Sequence, residues 1–335
     1  MTRWAILGIG RVTPRMVHAI RGCAGHSIVR VAARDKSKLA HWQSEFGVSQ
    51  GSTDFEATIA CPDVDAVYIA LPPALHARWG IAAMQHGKRV LCEKPLAMDV
   101  AETIAMNEAS VRTGMPLVHA TGFPFHPRSR AIREVVDQGV LGEVQRVTVA
   151  CSFSGILDRP GDHRIHPEAG GGCLLDLGWY CVYSTLWMTG LRPTWMQSIG
   201  TRAVTDDPSS AWLHVQTLAR LSNGAVATWD CGYDAAGRKW IEIAGTKGSV
   251  ICDDFLRPWD LNKPRYWVHG HDGNAQSSIV GEGLLQETAM VEFAASCSVA
   301  ESHEQREFAL ETQSILEQIE ASAKASMDLP RRMNI

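Results

Sequence analysis

The chain has 335 residues, enough for two domains of ordinary size, and 45% of them are hydrophobic, so each domain can bury a core. Lys and Arg total 32 against 36 for Asp and Glu, a net charge of −4, which speaks against a general nucleic-acid binder but leaves room for a small anionic ligand in one pocket. Nine cysteines stand singly with no CxxC pair, the pattern of reduced thiols filling the core of a cytoplasmic protein. No signal peptide and no membrane span is expected, since the chain opens directly into an apolar strand, Trp4-Ala5-Ile6-Leu7.

In chain order, residues 4–8 and Ile28–Ala33 read as buried strands, with a helix starting at Pro14, where a missing N–H is tolerated. Leu39, Trp42 and Phe46 recur at helical spacing and Gly47 ends that helix. Val64–Leu71 is a third strand, closed by Pro72-Pro73. Leu75–His86 is a helix stopped by Gly87, and Arg89–Cys92 a short strand. Asp99 and Glu102 form a capping box for a helix that Gly114 ends, and Leu117–Ala120 is a sixth strand. Strands alternating with helices imply a parallel sheet.

Near residue 120 the pattern changes. Arg128–Gln138 reads as a helix, and Val147, Val149, Cys151 and Phe153 alternate as in a half-buried strand. Hairpins are expected about Ser222-Asn223-Gly224 and about Gly245-Thr246-Lys247-Gly248. Residues 255–283 read as a long loop. Phe308, Ile315, Leu316 and Ile319 line a last helix, with Ser302 and Gln305 as its capping box. The fold class is α/β: a Rossmann domain over 1–120 and an α+β domain over 121–335 with an open, mainly antiparallel sheet, the last helix packing back on the first domain.

Gly8-Ile9-Gly10 follows the first strand and precedes the first helix. The first glycine permits a tight turn, and the second lets backbone approach a pyrophosphate lying at the helix N-terminus. The third small position of this fingerprint is Thr13, which is expected to loosen the helix–strand contact. At the end of the second strand, Arg34 can fork around a 2′-phosphate and Lys38 adds charge, while Asp35 sits one step late and caps the next helix. NADP is therefore favoured over NAD; the alternative is that Arg34 is a solvated surface charge.

Cys92-Glu93-Lys94-Pro95 leaves a parallel strand at the edge where open α/β sheets bind ligands. Downstream, Gly170-Gly171-Gly172 leads into Asp176 and Tyr180, four apart and so on one helix face. An Asp and a Tyr aimed into a cleft suit proton transfer at a hydroxyl, and a nearby Lys⁺ would favour the tyrosinate. The alternative makes Tyr180 a core residue and Asp176 a cap.

The glycine turn, the strand Tyr68–Pro73 with His76, Glu93-Lys94-Pro95, Gly139–Val144 and Gly170–Tyr180 occur in this order over nearly the whole chain. In this the chain resembles the glucose–fructose oxidoreductase, inositol dehydrogenase and rhizopine-catabolism (Gfo/Idh/MocA) family. Tyr180 resembles the branch of dihydrodiol and aldose 1-dehydrogenases, since inositol dehydrogenases carry His there. The resemblance implies that Tyr180 is the general acid/base, that Lys94 assists it, that Asp176 orients the substrate or the cofactor amide, and that Lys94-Pro95 is a cis bond. The cofactor residues implied are Gly8, Ile9, Gly10, Arg11, Val12, Arg34, Lys38, Leu71, Pro72, His76, Glu93 and Lys94.

Pro124, in Phe123-Pro124-Phe125-His126-Pro127, replaces an Arg common in the family, so the substrate is not inferred from relatives. Phe123, His163 and Trp179 are expected to line the substrate site; a metal at His163 and His166 is the weaker reading, because no ligand spacing matches a known cage. The activity implied is hydride transfer between NADP or NAD and a hydroxyl or carbonyl carbon of a sugar, cyclic polyol or diol, by a homodimer or homotetramer built on the open sheet face. An NAD-dependent glycosidase and a non-catalytic NADP- or sugar-binding regulator remain as alternatives.

Overall fold

The computed structural model describes residues 1–159, 161–204, 207–281 and 285–327, and the chain divides into two compact units. The first comprises Met1–Phe125 with Leu284–Leu310. Its six-stranded sheet is parallel throughout, in the order β3-β2-β1-β4-β5-β6. The strands are β1 (Thr2–Leu7), β2 (His26–Ala32), β3 (Gly51–Ser52), β4 (Ala66–Ile69), β5 (Arg89–Cys92) and β6 (Leu117–His119). Helices α1 (Thr13–Gly22), α2 (Lys36–Phe46), α3 (Phe55–Ile59), α4 (His76–Gln85) and α5 (Val100–Thr113) connect them.

Trp4, Ile6, Val31, Tyr68, Leu91 and Val118 of the strands share a core with Met16, Val17 and Ile20 of α1. A parallel sheet is covered on both faces, which is why β1 and β4 read as continuous apolar runs rather than alternating ones. The Asp99 cap forms as expected: its Oδ1 accepts from Glu102 N at 2.7 Å, and Glu102 Oε2 accepts from Met98 N at 3.0 Å.

Helix α8 (Leu285–Ser296) has no signal in the apolar spacing of the sequence. Its Met290, Val291 and Ala294 enter the core of the first unit. Ala289 and Phe293 pack partly against the same core, so the helix has no clean polar stripe to betray it. The last helix, α9 (His303–Met327), contributes residues 303–310 to this unit and the remainder to the other. The Ser302–Gln305 capping box does not form: Gln305 Oε1 has no hydrogen-bond partner among the described residues, and the Ser302 hydroxyl donates to Val299 O. The reciprocal pair lies four residues earlier: Glu301 Oε2 accepts from Ser298 N at 2.7 Å and Ser298 Oγ accepts from Glu301 N at 3.2 Å.

The second unit comprises His126–Gly283 with Glu311–Ile335. It holds α6 (Pro127–Asp137), α7 (Trp179–Thr189) and eight strands: β7 (Val144–Ser152), β8 (Pro193–Arg202), β9 (Trp212–Leu221), β10 (Val226–Gly232), β11 (Arg238–Gly245), β12 (Gly248–Cys252), β13 (Arg265–Gly270) and β14 (Ala275–Ile279). The order is β14-β13-β12-β11-β7-β10-β9-β8, antiparallel at every step except β7 beside β10.

The loop expected over 255–283 instead contains the β13–β14 hairpin, turned at Asp272-Gly273. Its edge strand, Ala275–Ile279, is polar and largely exposed, so no apolar alternation marked it. Helix α7 lies on one sheet face, where Trp229 Nε1 donates to Thr185 Oγ1 at 2.9 Å. Outward-facing Trp195, Ile199 and Leu218 are 51%, 58% and 46% exposed, which marks the other face as uncovered. All nine cysteines are free and buried, and among the described residues no helix is long and apolar enough to cross a membrane.

Candidate active site

In the first unit the candidate cofactor residues begin at the turn after β1. Gly8 has φ +93°, and a Cβ there would lie 2.5 Å from Ala70 O, so side chain and backbone conformation both demand glycine. Gly10 is exposed, and the first turn of α1 holds no acidic residue that would repel an anion. The turn therefore fits a dinucleotide pyrophosphate: a cramped first glycine, an open second one, and a helix N-terminus behind them.

Thr13 corrects the expected looseness. It is fully buried, its hydroxyl donates to Gly10 O at 2.7 Å and accepts from Trp42 Nε1 at 3.3 Å, so the turn is tied to α2. Asp35 caps α2 by accepting from Lys38 N at 3.0 Å, and Arg34 and Lys38 are exposed beyond the end of β2. Ile9 and Val12 are half-buried and Arg11 is exposed, all on the same turn.

The other loops of this unit meet at His76. It is wholly buried, with Nε2 2.8 Å from Leu71 O and Nδ1 2.8 Å from Pro95 O. Both ring nitrogens thus face protein carbonyls, and the ring joins the Leu71-Pro72 loop to the Lys94-Pro95 loop. The Lys94-Pro95 peptide bond is cis, as the resemblance implies. Glu93 Oε1 accepts from Tyr68 OH at 2.6 Å. Burial pushes the Glu93 carboxyl upward, against the opposing pull of Tyr68, Lys94 and Arg15. Lys94 itself is half-buried.

In the second unit stand the candidate residues Asp176 and Tyr180. Asp176 and Tyr180 do not share the face of one plain α-helix as their spacing predicts. Residues Leu174–Gly178 form a π-helical turn, and Tyr180 sits in the first turn of α7 that follows it. Such single turns occur frequently at functional sites. Asp176 Oδ2 accepts from Arg164 Nε at 2.7 Å and from Tyr233 OH at 3.0 Å. Burial works against the Arg164 charge, but Asp176, Tyr233 and Asp162 outweigh it and the guanidinium pKa is raised. Burial, then Asp176, raises the Tyr233 phenol well above its usual value. Tyr180 is half-buried.

Arg164 and Tyr233 were missed in the sequence. Arg164 lies among His and Asp residues that draw attention first, and Tyr233 reads as the plain end of a strand. The one available signal was Arg164's place just ahead of the three glycines.

His163 is half-buried, with Nδ1 3.7 Å from Asp162 Oδ1. Trp179 and Phe123 are 0% and 1% exposed, and Trp179 stacks on Tyr183 at 6.3 Å. Among the described residues no group of three or more His, Cys, Asp or Glu side chains is placed to hold a metal.

Residues 2–120 match the model of an oxidoreductase family with an NAD-binding Rossmann fold, and residues 129–251 match the GFO/IDH/MocA C-terminal domain. The chain is 31% identical over 265 residues to a scyllo-inositol 2-dehydrogenase (NADP(+)) of Bacillus subtilis, covering 77% of this chain and 78% of that protein. It is 30% identical over 249 residues to a D-xylose 1-dehydrogenase (NADP(+)) of Haloferax volcanii, covering 74% of each. The crystal structure of a 3-ketoreductase from Actinomadura kijaniata with NADP and TDP-benzene has a TM-score of 0.86 at 22% identity, over 96% of this chain and 97% of that one. At that identity the likeness speaks for the fold alone.

Proposed function

The chain belongs to the Gfo/Idh/MocA family of oxidoreductases with an NAD-binding Rossmann domain, and from that premise we propose that it is an NADP-preferring dehydrogenase or reductase of a sugar, cyclic polyol or related diol. Residues 1–120 are assigned to the cofactor, and residues 121–335 to the substrate and to self-association through the uncovered sheet face. Bound nicotinamide supplies a ring carbon that takes or gives hydride. The backbone of Gly8–Val12 and the N-terminus of α1 hold the pyrophosphate. Arg34 and Lys38 hold the 2′-phosphate. Leu71, Pro72, Glu93 and Lys94 serve the nicotinamide end, with His76 setting the loops that carry them.

Tyr180 exchanges the proton of the reacting oxygen at its phenol, with Lys94 as the assisting residue that the family resemblance implies. Asp176 accepts from a substrate hydroxyl and orients it, with His163 at the mouth. The observation that carries the reading is Asp176 on its π turn, its Oδ2 accepting from Arg164 and Tyr233, four residues ahead of Tyr180.

The test is a titration of the purified protein with NADPH and NADH, then aldoses, inositols and 1,2-diols followed by nicotinamide absorbance. Tyr180→Phe is expected to lower turnover about 10²–10⁴-fold while leaving the Kd for NADPH unchanged. Near wild-type turnover in that variant, or no net cofactor oxidation or reduction with any compound, sinks the proposal. The mass of the same preparation in solution reads the self-association, and a monomer would refute it.

A further inference from the structure

The sequence offers three successive glycines before the π turn, and the structure explains them by what they allow to approach. A Cβ on Gly171 would lie 2.6 Å from Arg164 O, 2.6 Å from His163 O and 2.7 Å from His166 O. Gly171 N donates to His166 O at 3.0 Å and Gly172 N donates to Arg164 O at 2.8 Å, and Gly170 and Gly172 take φ of +88° and +106°. Backbone thus lies directly on backbone, and the segment carrying Arg164 is pressed against the entry to the turn that carries Asp176.

From there the Arg164 side chain reaches Asp176 with Nε and Asp162 Oδ1 with Nη1, at 2.7 and 3.2 Å. Tyr233, at the end of β10, completes the set. Its backbone N donates to Leu213 O at 2.8 Å, and its ring rests against Phe153 at 4.9 Å, which aims the hydroxyl. Both donors converge on one oxygen, Oδ2 of Asp176. With that oxygen doubly engaged, the plane of the carboxylate is set, and so is the direction of Oδ1.

We propose that Arg164 and Tyr233 are positioning residues for Asp176, fixing its carboxylate on the π turn so that it meets the substrate hydroxyl in one orientation. The three glycines serve this by letting the Arg164 segment close onto the turn. The inference rests on the role given to Asp176 above. The groups around Asp176 are Arg164, with Asp162 and His163 behind it, Tyr233 from the end of β10, and Cys173 from the entry to the turn. Arg164 is a cation in direct contact, so its loss should let Asp176 take a proton at higher pH.

The test compares wild type, Asp176→Asn, Arg164→Met, Arg164→Lys and Tyr233→Phe as full-length proteins. It uses NADPH or NADP with scyllo-inositol and D-xylose, together with whichever compound the panel above finds to react, from pH 5 to 9. Arg164→Met should lower kcat/KM about 10- to 100-fold, the usual worth of a hydrogen bond to a charged group. The acid limb of its pH profile should move to higher pH, while the Kd for NADPH, read by fluorescence, stays within about twofold of wild type. Arg164→Lys should recover part of the loss. Tyr233→Phe should shift the limb the same way by less.

Should Arg164→Met fail to fold, Tyr233→Phe, which removes one hydroxyl, decides alone. Wild-type kinetics and an unmoved acid limb in the Arg164 and Tyr233 variants, beside an inactive Asp176→Asn, overturn the positioning role and leave the function standing. Full activity in Asp176→Asn, or no turnover by the wild type with any compound, overturns the underlying reading and this inference with it.

Discussion

At the scale of single residues, cofactor choice turns on three neighbours after β2. An acid placed to accept from a ribose 2′-OH would favour NAD. Asp35 is the nearest acid, and its carboxylate is committed to the α2 cap, with Oδ1 3.0 Å from Lys38 N. Arg34 and Lys38 are exposed, so an incoming phosphate meets two cations. Arg34→Ala is therefore expected to raise the Kd for NADPH about 10- to 100-fold, the worth of one charge-assisted contact, and to leave NADH nearly unaffected. Fluorescence titration with both cofactors checks it, and an equal change for the two would show that Arg34 does not read the phosphate. The Asp35 cap was legible because a cap is a local event, decided within four residues. Thr13 was misjudged because its partner, Trp42, is 29 residues away and no local pattern announces it.

At the scale of elements, the connections are what the chain must hold in place. Parallel strands and their helices were legible because apolar periodicity and glycine stops record them directly. The π turn was not, because α and π spacing differ too little over one turn to read from side chains. The β13–β14 hairpin was hidden by polar strands, and α8 by apolar residues on several sides. His76 shows how two loops far apart in sequence are joined: one ring lies between Leu71 O and Pro95 O, 2.8 Å from each. His76→Leu would leave both carbonyls buried without it, a cost of about 1–3 kcal/mol in stability. The Kd for NADPH should rise as well, since both loops are assigned to the cofactor. His76→Gln, with an amide that can still donate to one carbonyl, should lie between. Urea unfolding and NADPH titration of the two variants check this, and wild-type values in His76→Leu would show that the loops hold without the ring.

At the scale of the whole molecule, both units bury a histidine in its neutral form, and this sets how stability depends on pH. His119, in the first unit, is fully buried, with Nε2 3.1 Å from Gln305 O and Nδ1 2.9 Å from Thr121 Oγ1. A proton on Nε2 and an acceptor lone pair on Nδ1 fit those two neighbours without a charge. His126, in the second unit, is 1% exposed and its ring accepts from Arg128 N at 3.0 Å. Burial holds both imidazoles down to about 4, with the Arg128 charge adding at His126. In the unfolded chain each titrates near 6.5. Above that pH both states are neutral and the full contribution is present. As the pH falls from about 6.5 toward 4, the unfolded chain takes up protons that the folded one refuses, and stability is lost. His214 works in the opposite sense. Its hydrogen bond to Asp230 raises its pKa, so its contribution is present in acid and lost as the pH rises through its folded value. It is only half-buried, so solvent screens the pair and the two buried rings dominate. Stability is therefore expected to fall from pH 6.5 to 4.5. His119→Gln should have a shallower slope by as much as about 1.4 kcal/mol per pH unit, because an amide can still donate to Gln305 O but cannot take up a proton. Urea midpoints measured at intervals across that window decide it: converging curves for the two proteins support the neutral buried ring, and parallel curves refute it.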